Sequence, residues 1–221
     1  TIMKNNRSLM VIDPAAITPC IESYNRISKV APSPVTYHLP ALYNTDSLFK
    51  EYDTSSTNGI IILGSATSVN DENRWQDKII EILLDASKND IPILGLCYGH
   101  QLIGKIFGGK VGPLWNGEIK QGNRVVELKE SLIWGKPKSG HLLYSHQDGV
   151  TNIPPDFSIL ASSKMVSIEA IASNNKPIWG FQTHLEATNS FVKEHKMGPE
   201  GIQESFDFGH RLLDSFLFSL R

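Results

Sequence analysis

Residues 91–104 read "IPILGLCYGHQLIG". The four-residue run Ile91–Leu94 has the length and apolarity of a buried strand. From Tyr98 to Phe107 the pattern turns helical and closes at Gly108-Gly109. A strand that passes into a helix across two glycines is the joint of a parallel α/β sheet. Upstream, "GIIIL" (59–63) ends in Gly64 and reads as a second central strand. Between the two, Trp75, Ile79, Ile82, Leu83 and Ala86 mark one face of a helix. Further back, "LMVID" (9–13) and "PVTYHL" (34–39) are strand-like. "TPCIESYNRISKV" (18–30) between them predicts a helix, with Thr18 as N-cap and Pro19 at the first helical position. The expectation is a parallel sheet with right-handed crossovers.

The second half changes character. "NRVVEL", "HLLYSH", "FSILASS", "MVSIEAIAS" and "PIWGFQTH" are short strand candidates between turn residues. They predict mixed or antiparallel strands added to an open, mainly parallel sheet flanked by helices. A C-terminal helix is expected over about 202–219, with Phe206, His210, Leu213 and Phe216 or Leu217 along its buried stripe. Residues 1–221 read as a single α/β domain.

Composition narrows the function. The chain is 221 residues long, 40% hydrophobic and 20% charged, with a formal net charge of −2. That is ordinary for a soluble globule, and without a Lys/Arg block it offers no footprint for nucleic acid or anionic membrane. No apolar run reaches the roughly 20 residues that span a bilayer. "TIMKNNRSLMVID" lacks the apolar core of a secretory signal, and Thr1 and Ile2 read as residues placed ahead of a native Met3. Two cysteines, Cys20 and Cys97, make no disulfide framework, so a reducing cytoplasm is expected.

Cys97 stands where strand gives way to helix. Gly95-Leu96-Cys97-Tyr98-Gly99 has the G-x-C-x-G spacing of a nucleophile elbow. The helix N-terminus would favour a thiolate, and the Tyr98 N–H would face a developing oxyanion. A small hydrophobe filling a tight turn would read the same way. Candidate bases are His38, His100, His141, His146, His184, His195 and His210. If "GFQTHLEAT" is extended, His184 and Glu186 share a face and the carboxylate can orient the imidazole. A polar strand end is the alternative. His100, third in its helix, should point away from the nucleophile. His146 and Asp148 form a second polar pair. A metal site from His146, Asp148, His184 and Glu186 is conceivable, but no tight ligand motif supports it.

Taken in order, "GIIILGSATSVND", "PILGLCYGHQLIGKIFGGKVG", "SHQDGV", "IPPDFSILASS" and "KPIWGFQTHLEAT" resemble the class I glutamine amidotransferases, over about residues 9–190. The likeness is strongest to the amidotransferase domain of GMP synthases and their free-standing relatives. It implies a flavodoxin-like fold and a Cys-His-Glu triad that hydrolyses the glutamine side-chain amide, with no cofactor. Carried over, Cys97 is the nucleophile, His184 the base and acid, and Glu186 the orienter. Gly64-Ser65 and Tyr98 supply the oxyanion donors, and Gln101, Ser145 and His146 hold the substrate. Ser65 and Ala66 replace the family's glycine and proline, "THLE" replaces "FHPE", and "SHQD" replaces "SHGD". These changes place efficiency and partner surface in question. Ser65 would need a left-handed backbone, at roughly 1–2 kcal/mol, to turn its N–H toward the nucleophile. No synthase segment is seen, so the ammonia acceptor is expected on another chain, or else water and small amines. Hydrolysis of γ-glutamyl peptides, or a non-catalytic binding role, are the other readings.

Overall fold

The computed structural model describes residues 7–220; residues 1–6 and 221, and with them the reading of Thr1 and Ile2, lie outside the described residues. Strands β1 (Ser8–Ile12), β2 (Val35–His38), β3 (Thr57–Ile62) and β4 (Ile93–Leu96) alternate with helices α1 (Ile21–Val30), α2 (Asp46–Glu51) and α3 (Arg74–Lys88). Helix α4 (Tyr98–Ile106) follows β4 after one residue. The chain continues through β5 (Lys110–Pro113), β6 (Lys120–Leu128), β7 (Lys138–His146), β8 (Asp148–Asn152), β9 (Phe157–Ser162), β10 (Ala170–Ser173) and β11 (Ile178–Phe181). Helices α5 (Asn189–Glu194) and α6 (Ile202–Ser219) complete it.

Nine strands form one sheet in the order β2-β1-β3-β4-β11-β10-β9-β6-β7. The first five run parallel, and each pairing from β11 to β7 is antiparallel. This is the mainly parallel sheet with antiparallel additions that the sequence predicts. Strands β5 and β8 pair separately. Successive strand residues feed opposite faces. Leu9, Val11, Ile61 and Leu94 pack with Leu213 and Phe216 of α6 on one side. Met10, Ile12, Ile60 and Ile93 pack with Ile79 and Leu83 of α3 and Leu102 of α4 on the other.

Three local expectations are corrected. Helix α1 starts at Ile21, with Cys20 rather than Thr18 at its N-cap. The buried Asp13 carboxylate accepts the Cys20 N–H at 2.7 Å, so a long-range side chain does the work expected of Thr18. Residues 165–169 are irregular, and only Ala170–Ser173 join the sheet. The buried stripe of α6 runs through Ser205, Phe208, Gly209, Leu212, Leu213, Phe216 and Leu217. Phe206 and His210 lie off it and stack on each other at 5.6 Å.

Candidate active site

Open α/β sheets bind ligands beyond the carboxyl ends of their strands. Here Gly64 follows β3, Cys97 follows β4, and His184 and Glu186 follow β11. Cys97 has φ 52° and ψ −102°, a conformation that costs an L residue about 1–3 kcal/mol. Close packing enforces it. A Cβ on Gly95 would lie 2.4 Å from the Gly99 backbone, and one on Gly99 would lie 2.4 Å from the Ile62 carbonyl oxygen. The Cys97 N–H donates to the Phe181 carbonyl at 2.8 Å, tying the elbow to the end of β11.

His184 and Glu186 lie beyond the strand, in a turn, so strand alternation is not what aligns them. His184 Nδ1 bonds Glu186 Oε1 at 2.9 Å. The turn is pinned from three directions. The His184 N–H donates to Leu143 O of β7 at 2.8 Å. Ser23 Oγ of α1 donates to Glu186 O at 3.0 Å, and His210 Nε2 of α6 donates to Ala187 O at 2.8 Å. Thr183 and Leu185, the departures in "THLE", are both fully buried, with Leu185 in the core beside α6. They therefore lie inside the fold and form no part of a partner surface.

Cys97 is 5%, His184 9% and Glu186 2% exposed. Burial pulls the His184 pKa down, but the Glu186 carboxylate and then Cys97 raise it to about 10. A Cβ on Gly64 would lie 2.8 Å from His184 Cε1 and 3.6 Å from Cys97 Cβ, so glycine is what lets this loop approach the pair. Ser65 is not among the positive-φ residues, so its backbone rests outside the left-handed region. Its Oγ accepts the Thr67 N–H at 3.1 Å and holds the loop in a local turn.

The other histidines are engaged elsewhere or buried. Both ring nitrogens of His38 are bonded, to Ser47 and Thr36. His141 bonds Asn123, and His195 donates to the Phe191 carbonyl. His100 is fully buried against Gly180. His146 Nε2 accepts from Arg124 at 2.9 Å, and its Nδ1 then donates to Asp148 O at 2.8 Å. Burial, then the Arg124 charge, lower the His146 pKa to about 3, so it is a neutral structural group with neither nitrogen free. Among the described residues, no group of three or more His, Cys, Asp or Glu could hold a metal ion. Burial, then the Asp13 carboxylate, push the Cys20 thiol up.

Four further residues come to the site without a sequence signal that singled them out. The buried Gln182 donates Nε2–H to Cys97 Sγ at 3.7 Å. Its Oε1 takes a hydrogen bond from Gln101 Nε2, which also donates to Asp148 O at 2.8 Å. Ser145 presents its carbonyl to the thiol at 3.9 Å. Arg124 and Glu169 form a buried ion pair at 2.5 Å behind His146. Phe191 of α5 lies on the His184 ring. Of these, the glutamine of "GFQTH" stands two residues from His184 and was the most accessible to a sequence reading.

This sheet, with its elbow at the carboxyl edge, defines an α/β protein of the amidotransferase type. The chain belongs to the glutamine amidotransferase class-I family, whose model matches residues 21–200. It is 35% identical over 147 residues to one of the subunits of the glutamine-hydrolyzing GMP synthase of Pyrococcus abyssi, covering 66% of this chain and 75% of that one. To the glutamine-hydrolyzing GMP synthase of Lactobacillus acidophilus it is 40% identical over 133 residues, 60% of this chain. The match spans only 25% of that protein's length. A solved glutamine amidotransferase from Thermotoga maritima superposes with TM-score 0.75 at 17% identity, over 97% of this chain and 98% of that one. Among the described residues, no helix is long and apolar enough to cross a membrane.

Proposed function

We propose that this chain hydrolyses the side-chain amide of glutamine to glutamate and ammonia, with Cys97, His184 and Glu186 as a triad. The observation that carries this is Cys97 at φ 52°, set beside Gly64 together with a His184 whose Nδ1 Glu186 holds. The Cys97 thiolate attacks the amide carbon. The oxyanion draws on the N–H groups of Tyr98 and the Gly64-Ser65 loop. His184 gives its proton to the leaving nitrogen and ammonia departs, leaving a γ-glutamyl thioester. His184 then takes a proton from water, hydroxide adds to the thioester, and Cys97 leaves as thiolate. Gln101 and Ser145 are the substrate-facing residues. His146, with both nitrogens bonded, contributes the shape of the wall. The Pyrococcus relative is named as one subunit of a synthase, which supports delivery of ammonia to a separate chain.

The test is ammonia release from glutamine set beside release from γ-glutamyl dipeptides, with and without Cys97→Ala. Release from glutamine that falls by at least about 10³ in Cys97→Ala supports the reading. Cleavage of the dipeptides alone would make the chain a conjugate hydrolase. No release from either, with Cys97 inert to a glutamine-like electrophile, would give it a binding role without catalysis.

A further inference from the structure

The proposed reaction makes no use of α5, yet α5 places an aromatic face on the histidine. The Phe191 and His184 rings lie 4.4 Å apart between centroids, tilted by 39°. On Phe191 rests His195 in turn, at 4.2 Å and 34°. Six residues make too short a helix to stand alone in water, and α5 is tied down at both ends. Glu22 of α1 accepts from Thr188 Oγ1 at 3.0 Å and from the Ser190 N–H at 3.1 Å. Beyond the helix, Gln121 and Asn123 of β6 each donate at 2.7 Å, to the carbonyls of His195 and Glu200. Two separate elements, α1 and β6, therefore fix where the Phe191 ring sits.

We propose that Phe191 is a positioning residue for His184, its ring face supporting the imidazolium and keeping the imidazole turned between Glu186 and Cys97. This rests on the triad reading above. The face of an aromatic ring is electronegative and attracts a cation within about 6 Å of its centroid. The titratable groups around His184 are Glu186 from its own turn, Cys97 from the elbow, Cys20 and Asp13 at the start of α1, His210 of α6 on the Ala187 carbonyl and, further off, the neutral His146 of β7. The β3 loop brings only the uncharged Gly64, and α5 brings Phe191 with His195 behind it. Without the ring face, the imidazolium loses a favourable contact that the neutral imidazole does not need. His184 then releases its proton at lower pH, and the alkaline limb of the activity profile moves down.

The experiment follows the NMR titration of the His184 ring in wild type, Phe191→Leu, Phe191→Tyr and Phe191→Trp. Steady-state kinetics with glutamine and a thermal melt accompany it. In Phe191→Leu the alkaline midpoint is expected to fall by roughly half to one and a half pH units. The same variant should lose about three- to thirtyfold in kcat, with KM within about twofold. Phe191→Tyr should restore both, and Phe191→Trp should move the midpoint above wild type. A folded Phe191→Leu with an unmoved midpoint overturns the proposal, and so do Leu and Trp variants that move it the same way. If Phe191→Leu does not fold, the Tyr and Trp variants decide, since a Trp midpoint at or below that of Tyr is equally fatal. Should wild type release no ammonia, the glutaminase reading falls, but the midpoint series still decides the role of the ring.

Discussion

Gln182 is fully buried and aims an amide N–H at the Cys97 sulfur. Such a donor can stabilise the charge that the sulfur carries when it attacks or leaves, because hydrogen bonds to charged groups are worth about 1.5–3 kcal/mol. Gln182→Leu keeps the bulk and removes the donor. We expect kcat/KM for glutamine to fall about 10- to 100-fold in a folded variant. Unchanged kinetics would mean that the thiolate draws nothing from this amide. At Ser65 the backbone rests outside the left-handed region, so the strain that such a turn would cost is not paid in this state. Its hydroxyl braces the loop on Thr67, and where that braced loop is the one that serves the oxyanion, Ser65→Gly should not raise turnover. A loss of about two- to fivefold is expected, as a glycine restores freedom to the loop. A several-fold gain in steady-state turnover, beside an unaltered melt, would bring the strained-loop account back.

Among the elements, β6 and the lead-in to β10 are joined by the Arg124–Glu169 pair, 5% and 0% exposed in their side chains. Arg124 also lies over the Tyr144 ring at 4.0 Å and holds His146 neutral. Removing one partner of such a pair leaves a buried charge alone, at about 3–5 kcal/mol. Glu169→Met should therefore cost about that much in a urea melt, and Arg124→Met with Glu169→Met should cost clearly less. A double variant no more stable than the single would show that packing, not the stranded charge, sets the loss. The same pair shows what a sequence hides at this scale. The strand-to-helix turn at Cys97 is legible because five consecutive residues carry it. The parallel strands are legible because each is an apolar run of its own. Arg124 meets Glu169, Asp13 caps α1 at Cys20, and Phe191 reaches His184 only after the sheet has assembled. Residues 165–169 read as strand because apolar residues alternate there, yet the backbone turns to put Glu169 on Arg124. His184 and Glu186 were legible as a pair, although a turn and not a strand aligns them.

Across the whole molecule, buried histidines set opposing pH slopes, most strongly His184, His100 and His146. The raised pKa of His184 means that its contribution is complete below its unfolded value near 6.5 and is lost as pH rises through about 10. His100 and His146 run the other way. Burial is the first cause in both, each is lowered to about 3, and each is neutral in the fold. Below pH 6.5 the unfolded chain takes up protons that the folded chain refuses, so stability falls as pH drops from 6.5 toward 3. Each such histidine contributes about 1.4 kcal/mol per pH unit within that window. Together the three place their stability optimum near pH 6.5. His100 isolates the effect, because it is fully buried and, among the described residues, neither ring nitrogen has a hydrogen-bond partner. Replacing it by leucine removes both the titration and the cost of burying unpaired polar atoms. We expect His100→Leu to be more stable than wild type at pH 5. Its stability should also fall less steeply on acidification, by about 1.4 kcal/mol per pH unit. Urea melts of both proteins at several values between pH 6.5 and pH 4 read the difference, in which the carboxylates common to both cancel. Parallel slopes would mean that His100 takes up its proton inside the fold, and that His146, His38, His210 and the carboxylates carry the acid limb.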